Sequence, residues 1–382
     1  MSTTPKVAFW LPSFEMTGLQ TSTIRVAQTL TQQGVLVDLV VCHNKGPSSR
    51  MVKDPVRVVD LKQSSGHLGR GLLRVLRYVF RERPTAICAC SGSGYLLAAL
   101  VRLIGAKTQV WIWELSTKQY RELAKVIETR GKGLSWSRVA WRSIVRPIYG
   151  MGQRAFMGTT SGVITNSRAV ADELRENSFA TQRKIRVIYN ACISDKSVKI
   201  PNKQRTWPMK IGNVALIVNV GRLSVVKDLD VLLRAFRVLR NERPAYLTIV
   251  GDGPQESQLA KLREDLALSD DVQLSGFKDD PFADLQFADL FVLSSRTEPF
   301  GNVLVEAMAA GLPVVSTDCT GPREILDIGR YGPLVPVGDH LALAAAMAQV
   351  LDNPPDRDVL RMRAMDFHAD KIAAQYRDAF GI

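Results

Sequence analysis

Short runs of β-branched and aliphatic residues alternate along the chain with stretches whose apolar positions recur every three to four residues. In the first half the strand candidates are Lys6–Leu11, Val35–His43, Arg57–Leu61, Ala86–Cys90, Gln109–Glu114, Gly162–Asn166 and Ile185–Tyr189. In the second half they are Val214–Gly221, Tyr246–Gly251, Val272–Ser275, Leu290–Ser294 and Pro313–Thr317. Strands separated by helix-period segments build parallel sheets covered by helices on both faces. The predicted class is therefore α/β, and such open sheets receive ligands outside the carboxyl ends of their strands. The polar, basic stretch 195–213 carries two prolines and no period. It divides the chain into a domain over 1–200, a linker over 201–213 and a domain over 214–382, two doubly wound Rossmann-like units expected to face each other across a cleft. The helical tail after Pro355 fits either the second domain or a return to the first.

Composition changes this picture in one respect. The 382 residues are 46% hydrophobic and 23% charged, which is globular rather than disordered. The formal charge of +13 hides an asymmetry: residues 1–210 carry 33 basic and 12 acidic side chains, +21, whereas 211–382 carry 17 and 25, −8. The start, MSTTPKVAFWLPSF, runs directly into a strand without the long apolar core of a secretory signal. No uninterrupted run of about 18 apolar residues suggests a spanning helix. A cytosolic protein, or one attached to a membrane surface without crossing it, is expected. The five cysteines are scattered and read as small buried hydrophobes, and the four dispersed histidines form no ligand cluster.

Two stretches of the cationic half stand out. In HLGRGLLRVLRYVFRERP, Arg70, Arg74, Arg77 and Arg81 fall on one helical stripe, with Leu72, Leu73, Leu76, Val79 and Phe80 mostly on another. The segment from Arg130 to Phe156 is dense in basic side chains, including Arg138 and Arg142, interleaved with Trp136, Trp141 and Tyr149, and has no acidic residue. Cations and aromatic rings on one amphipathic segment suit an anionic membrane surface; a solvated helix face over an ordinary core is the plainer alternative. Nucleic acid would use the same charge, but no helix-turn-helix, RNP-like or zinc-finger pattern is present, and the second half is acidic.

The segment LSSRTEPFGNVLVEAMAAGLPVVSTDCTGPREIL carries the chemistry. A strand leaves into a loop, and a helix is predicted from Asn302 or Val303 to Ala310, stopped at Gly311 before Pro313. Glu298 presents from the loop and Glu306 from the helix. The amides of Phe300, Gly301, Asn302 and Val303 lie at a helix N-terminus, where partial positive charge favours phosphate. Upstream, GRLSVVKDLDVLLRAF sets Arg222 and Lys227 between a strand and the next helix. These cations suit a diphosphate, or, read plainly, surface salt bridges to Asp228 or Asp230.

GRLSVVKD, IVGDGPQESQL, VQLSGFKDD, RTEPFGNVLVEAMAAGLPVVSTDCTGPREI and YGPLVPVGD follow one another in the order and spacing of the GT4-family retaining glycosyltransferases of GT-B fold, which the chain resembles over nearly all of 214–340. MTGLQTSTIRVAQTL, TNSRAVADEL and VIYNAC resemble the family more loosely. The resemblance implies that Arg222 and Lys227 hold the donor diphosphate, that Glu306 binds the ribose and that Glu298 contacts the transferred sugar. It places the Phe300 and Gly301 amides on sugar hydroxyls, the Asn302, Val303 and Leu304 amides toward phosphate, the backbone of Gly276, Phe277 and Lys278 on the base, and Gly18 against the diphosphate from the other wall. Two positions depart from the family pattern. Thr17 precedes Gly18 where many relatives have paired glycines, and Trp113 and Glu114 stand where many carry a His; either that His role is dispensed with, or Glu114 or Trp113 contacts the sugar or the acceptor, with Trp113 as a core residue the plainer alternative.

By the same resemblance the reaction is retaining and front-face, with no metal and no cofactor beyond the nucleotide-sugar donor; Asp228-Leu229-Asp230 has the letters of a metal motif but lies inside a helix start. The expected function is transfer of a hexosyl unit to a lipid-linked or glycan acceptor in cell-surface polysaccharide synthesis, at the inner face of the membrane. Transfer to a soluble sugar phosphate and a catalytically silent nucleotide-sugar-binding protein remain open alternatives.

Overall fold

A computed structural model describes residues 4–62, 68–90, 93–115, 158–177, 184–194, 214–278 and 280–382. Two compact units divide the chain. The first contains a seven-stranded sheet of β1 (Lys6–Leu11), β2 (Leu36–Val41), β3 (Arg57–Asp60), β4 (Ala86–Cys90), β5 (Gln109–Glu114), β6 (Gly162–Thr165) and β7 (Ile185–Val187). Their order is β3-β2-β1-β4-β5-β6-β7, and every pairing is parallel. β1 shows why the sequence reads this way. Val7, Phe9 and Leu11 enter one apolar core, while Ala8 and Trp10 enter another on the opposite face, so the strand is buried on both sides.

The helices Leu68–Glu82 and Ser93–Leu103 cover the face that holds Ala8 and Trp10. Helix Gly18–Gln32 covers the other, together with the final helix, Ala369–Phe380. That final helix supplies Ile372, Ala373, Tyr376 and Phe380 at helical spacing. The Tyr376 ring meets Phe9 edge-on at 5.7 Å, and Phe380 meets Trp111 at 5.8 Å. The tail thus belongs to the first unit.

The units divide at Ala191–Cys192 and again at His368–Ala369. The Ala191 N–H donates to Ser22 Oγ at 2.8 Å, whereas the next N–H, of Cys192, donates to the Phe367 carbonyl at 3.0 Å. The expected linker, 201–213, lies outside the described residues, as does the aromatic and basic segment with Trp136, Arg138, Trp141 and Arg142.

The second unit, Cys192–His368, carries β8 (Ala215–Val220), β9 (Ala245–Val250), β10 (Val272–Leu274), β11 (Leu290–Leu293), β12 (Val314–Thr317) and β13 (Leu334–Val335) in the parallel order β10-β9-β8-β11-β12-β13. β13 has no counterpart among the strand candidates. Its two residues pair with Ser316 and Thr317 between Pro333 and Pro336, too short a run for any period to register. In both sheets the order reverses beside the first strand, β1 next to β4 and β8 next to β11, the switch points where open sheets leave a crevice at their carboxyl edge. Among the described residues no helix is long and apolar enough to cross a membrane.

Candidate active site

At the carboxyl edge of the second sheet three strand ends are stitched by backbone. The Gly221 N–H donates to the Val250 carbonyl at 2.9 Å, Leu223 to Asp252 at 2.7 Å, and Gly251 to Gly276 at 2.8 Å. This lattice carries Arg222 outward: it is exposed and has no ion-pair partner among the described residues. Gly276 opens the loop before Phe277, whose ring is exposed. The Lys278 ammonium is bound to the buried Asp284 carboxylate at 2.7 Å, which fixes the loop's far end.

Lys227 ends a single 3-10 turn, Val225–Lys227, and Asp228 follows in left-handed conformation. This turn is clamped to the end of β11. Ser294 Oγ donates to the Lys227 carbonyl at 2.8 Å, the Arg296 N–H to the Val226 carbonyl at 2.8 Å, and Arg296 Nε to Asp228 Oδ1 at 2.8 Å. Asp228 is only 1% exposed. Burial pushes its carboxyl up to about 6, an effect that Arg296 reduces and the neighbouring Asp230 carboxylate increases. Arg296 and Ser294 are the members of this site that sequence reasoning missed. The one available signal was a cation two residues before Glu298. With the Lys227 backbone held in this way, its ammonium pairs with the Glu298 carboxylate.

The Glu298 loop is held from behind. The Gly321 N–H donates to the Glu298 carbonyl at 2.9 Å, and a Cβ on Gly321 would lie 1.9 Å from the Phe300 carbonyl oxygen. Only glycine permits this approach. Gly321→Ala is therefore expected to cost about 3 kcal/mol, a melting temperature lowered by roughly 6–12 °C, read by thermal denaturation; a shift under about 2 °C would show that the loop can yield. The Phe300 ring is buried and meets Phe367 at 5.6 Å, which aims the loop's backbone rather than its ring at the sheet edge.

Gly301, left-handed, then opens the helix Asn302–Ala309, with Glu306 half-buried in its second turn. Of the three amides expected to face phosphate, Leu304 is spoken for: its N–H donates to the Gly301 carbonyl at 2.9 Å, because a left-handed residue at the cap tightens the first turn. Asn302 and Val303 keep the N-terminal positions. Beside this loop the Cys319 thiol is pushed up to about 12, first by burial and then by the Glu298 charge. A thiol held protonated in this way is no nucleophile. Among the described residues no group of three or more His, Cys, Asp or Glu side chains could hold a metal ion.

The remaining candidates sit on the first unit. Gly18 begins its helix after Thr17, whose backbone is extended. Glu114 ends β5 at that sheet's carboxyl edge, buried, and accepts a hydrogen bond from Tyr95 Oη at 3.2 Å. Trp113, one residue earlier, faces the opposite way. Its Nε1 donates to Tyr376 Oη at 2.9 Å and its ring stacks on Phe9 at 5.6 Å, so it is a core residue. In the arginine stripe of helix Leu68–Glu82, Arg74 donates to the carbonyls of Leu61 and Lys62, the latter at 2.7 Å, and Arg74, Arg77 and Arg81 are all exposed. Arg70 lies in the first turn of the same helix.

Comparison with known proteins places these features in a family. The profile described as "Glycosyl transferase 4-like domain" matches residues 17–191, and that of "Glycosyl transferases group 1" matches 204–366. The lipopolysaccharide core biosynthesis glycosyltransferase LpsE of Rhizobium meliloti is 32% identical over 58% of this chain, and the match spans 62% of that protein. A Campylobacter jejuni N-acetylgalactosaminyltransferase, named for a diphospho-undecaprenol-linked acceptor, is 24% identical over 88% of this chain and 82% of its own. The crystal structure of Anabaena HepE in complex with UDP and glucose shares the fold, with a TM-score of 0.72 over 99% of both chains at 19% identity. With both of its domains matched by family profiles in the expected order, the chain belongs to the GT4 family of glycosyltransferases and has the two Rossmann-like domains of the GT-B fold.

Proposed function

We propose that this protein is a retaining hexosyltransferase that moves a sugar from a nucleotide-diphosphate donor to a lipid-linked or glycan acceptor in cell-surface polysaccharide synthesis, working peripherally at the inner face of the membrane. The observation that carries the donor half of this reading is the convergence, at one sheet edge, of Arg222, Lys227, Glu298, Glu306 and the N-terminal amides of helix Asn302–Ala309. Support for the acceptor half comes from relatives named for lipopolysaccharide core and undecaprenol-linked glycan synthesis.

In this reaction the bond from the anomeric carbon to the diphosphate oxygen breaks early, and positive charge builds on the sugar ring. The departing diphosphate takes the bonding pair, so groups that meet its growing charge lower the barrier. Arg222 offers a planar fork of donors and Lys227 a point charge; the Asn302 and Val303 amides add fixed dipoles that need no reorganisation. Glu306 accepts hydrogen bonds from ribose hydroxyls, Glu298 and the Phe300 and Gly301 backbone orient the transferred sugar, and the Gly276–Lys278 backbone receives the base. Gly18 and Glu114 are the first domain's own candidate substrate contacts, Glu114 for the sugar or the acceptor. The acceptor oxygen then forms its bond to the anomeric carbon on the face the diphosphate has left, and its proton passes to a leaving-phosphate oxygen. The cations that meet the diphosphate are the chain's own, and no metal or further cofactor takes part.

Nucleotide diphosphate released on addition of a lipid-diphosphate-linked glycan, compared with release on addition of a sugar phosphate, tests the acceptor class. Glu306→Ala is expected to raise the donor KM about tenfold with a smaller change in kcat, since ribose contacts serve ground and transition states alike. If the wild type releases no nucleotide diphosphate with any lipid-linked acceptor, and Glu306→Ala and Arg222→Ala leave donor binding unchanged, the reading fails.

A further inference from the structure

Helix Leu68–Glu82 buries Leu72, Val75, Tyr78 and Val79 against the first sheet and turns Leu73 and Phe80 away from it, 64% and 66% exposed. Its neighbour, Ser93–Leu103, buries Tyr95, Ala98 and Val101 and ends on Leu103, 82% exposed, followed by the exposed Ile104. Such side chains standing in water are costly, and two adjacent helices share the same defect.

Their charged neighbours share a sign. Arg77 and Arg81 lie among the apolar residues of the first helix, and Arg102 and Lys107 flank Leu103 and Ile104; all four are exposed. No acidic residue occurs between Asp60 and Glu82, or between Glu82 and Glu114. Glu82 itself is held by Lys6 and Arg57, each at 2.8 Å, at the end of its helix. A protein partner would ordinarily meet both signs of charge with a flat apolar centre. Single large apolar side chains projecting between cations match a bilayer instead, where phosphates meet the cations and acyl chains take the apolar tips.

We propose that the outward faces of helices Leu68–Glu82 and Ser93–Leu103 form one membrane-docking surface, with Leu73, Phe80, Leu103 and Ile104 entering an anionic bilayer and Arg77, Arg81, Arg102 and Lys107 at headgroup level. The inference rests on the reading of a lipid-linked acceptor and adds to it the side chains that insert. It also differs from a purely electrostatic arginine stripe, because the exposed apolar Leu73 and Phe80 take part in it. Both helices follow parallel strands and run back from the carboxyl edge of the sheet. Leu73 therefore lies nearer the rim that carries Glu114, and Phe80, Leu103 and Ile104 lie toward the amino edge, so the surface runs along the outer face of both helices.

The test uses the full chain and vesicles of phosphatidylcholine with and without phosphatidylglycerol, in co-sedimentation at low and high salt. The wild type should bind the anionic vesicles and retain part of that binding at high salt. Leu73→Ser with Phe80→Ser, and Leu103→Ser with Ile104→Ser, should each weaken it about tenfold at both salt concentrations, with unchanged melting temperature because the positions are exposed. Arg77→Gln with Arg81→Gln should flatten the salt dependence. Failure of the wild type to bind, or binding untouched by both serine pairs, overturns the proposal. Transfer to a lipid-linked acceptor in detergent micelles keeps the two readings apart: transfer without vesicle binding refutes only the docking surface, and vesicle binding as described without transfer refutes only the acceptor.

Discussion

Lys227→Ala should lower kcat by about a hundred- to a thousand-fold at saturating donor, the range seen when one preorganised donor to a developing anion is removed. The position of Lys227 explains why its loss should exceed that of Arg222. Its carbonyl and the two residues flanking it are fixed by Ser294 and Arg296, so the ammonium is the mobile end of an otherwise rigid turn. That ammonium is paired with the Glu298 carboxylate, which in the proposed reaction stands beside the departing diphosphate. Removal of the lysine thus withdraws a cation and leaves an anion in its place, and both changes oppose charge on the leaving group. Lys227→Ala combined with Glu298→Gln separates the two contributions. The double variant should recover donor affinity relative to Lys227→Ala alone, because the repulsion is gone, but should not recover kcat. Steady-state kinetics with isothermal donor titration checks both, and a kcat within threefold of wild type for Lys227→Ala would remove the lysine from the reaction.

The same pairing marks the limit of what the primary structure disclosed. The strands were legible because Val7, Phe9 and Leu11 alternate with Ala8 and Trp10, and burial on both faces leaves a continuous apolar run. Helix Asn302–Ala309 was legible because a glycine and then a proline punctuate its end. The Asp228–Arg296 contact spans 68 positions and carries no local signature. The bond of the Leu304 N–H to the Gly301 carbonyl was not legible, because a helix pattern does not say how its first turn closes. For Trp113 and Glu114, period-two alternation guarantees that only one can face a given side, yet it does not say which side is core; the Tyr376 and Phe9 contacts decide that.

Arg296→Ala should destabilise the second domain by about 3 kcal/mol at pH 7.5, a melting temperature lower by roughly 6–12 °C. The low end of the range for a broken buried pair applies because Arg296 is 45% exposed and solvent already screens part of its charge, whereas its partner carboxylate is sealed. The pH dependence identifies the cause. Asp228 binds its proton more tightly folded, at about 6, than its ordinary value of 3.8 allows unfolded. Between those values the native state holds more protons, so this residue's contribution to stability falls as pH rises and its cost is complete above about 6. Removing Arg296 raises the folded value further and widens that window upward. The gap in melting temperature between variant and wild type should therefore be largest above neutrality and shrink as pH is lowered toward 4, where Asp228 is protonated in both. Asp228→Asn in the Arg296→Ala background should erase the pH dependence of the gap and restore part of the lost stability, because a neutral amide needs no counter-charge. A gap constant from pH 4 to 8 would mean that Arg296 acts through packing alone, and that the turn bearing Lys227 is held by Ser294 and the backbone without an ionic contribution.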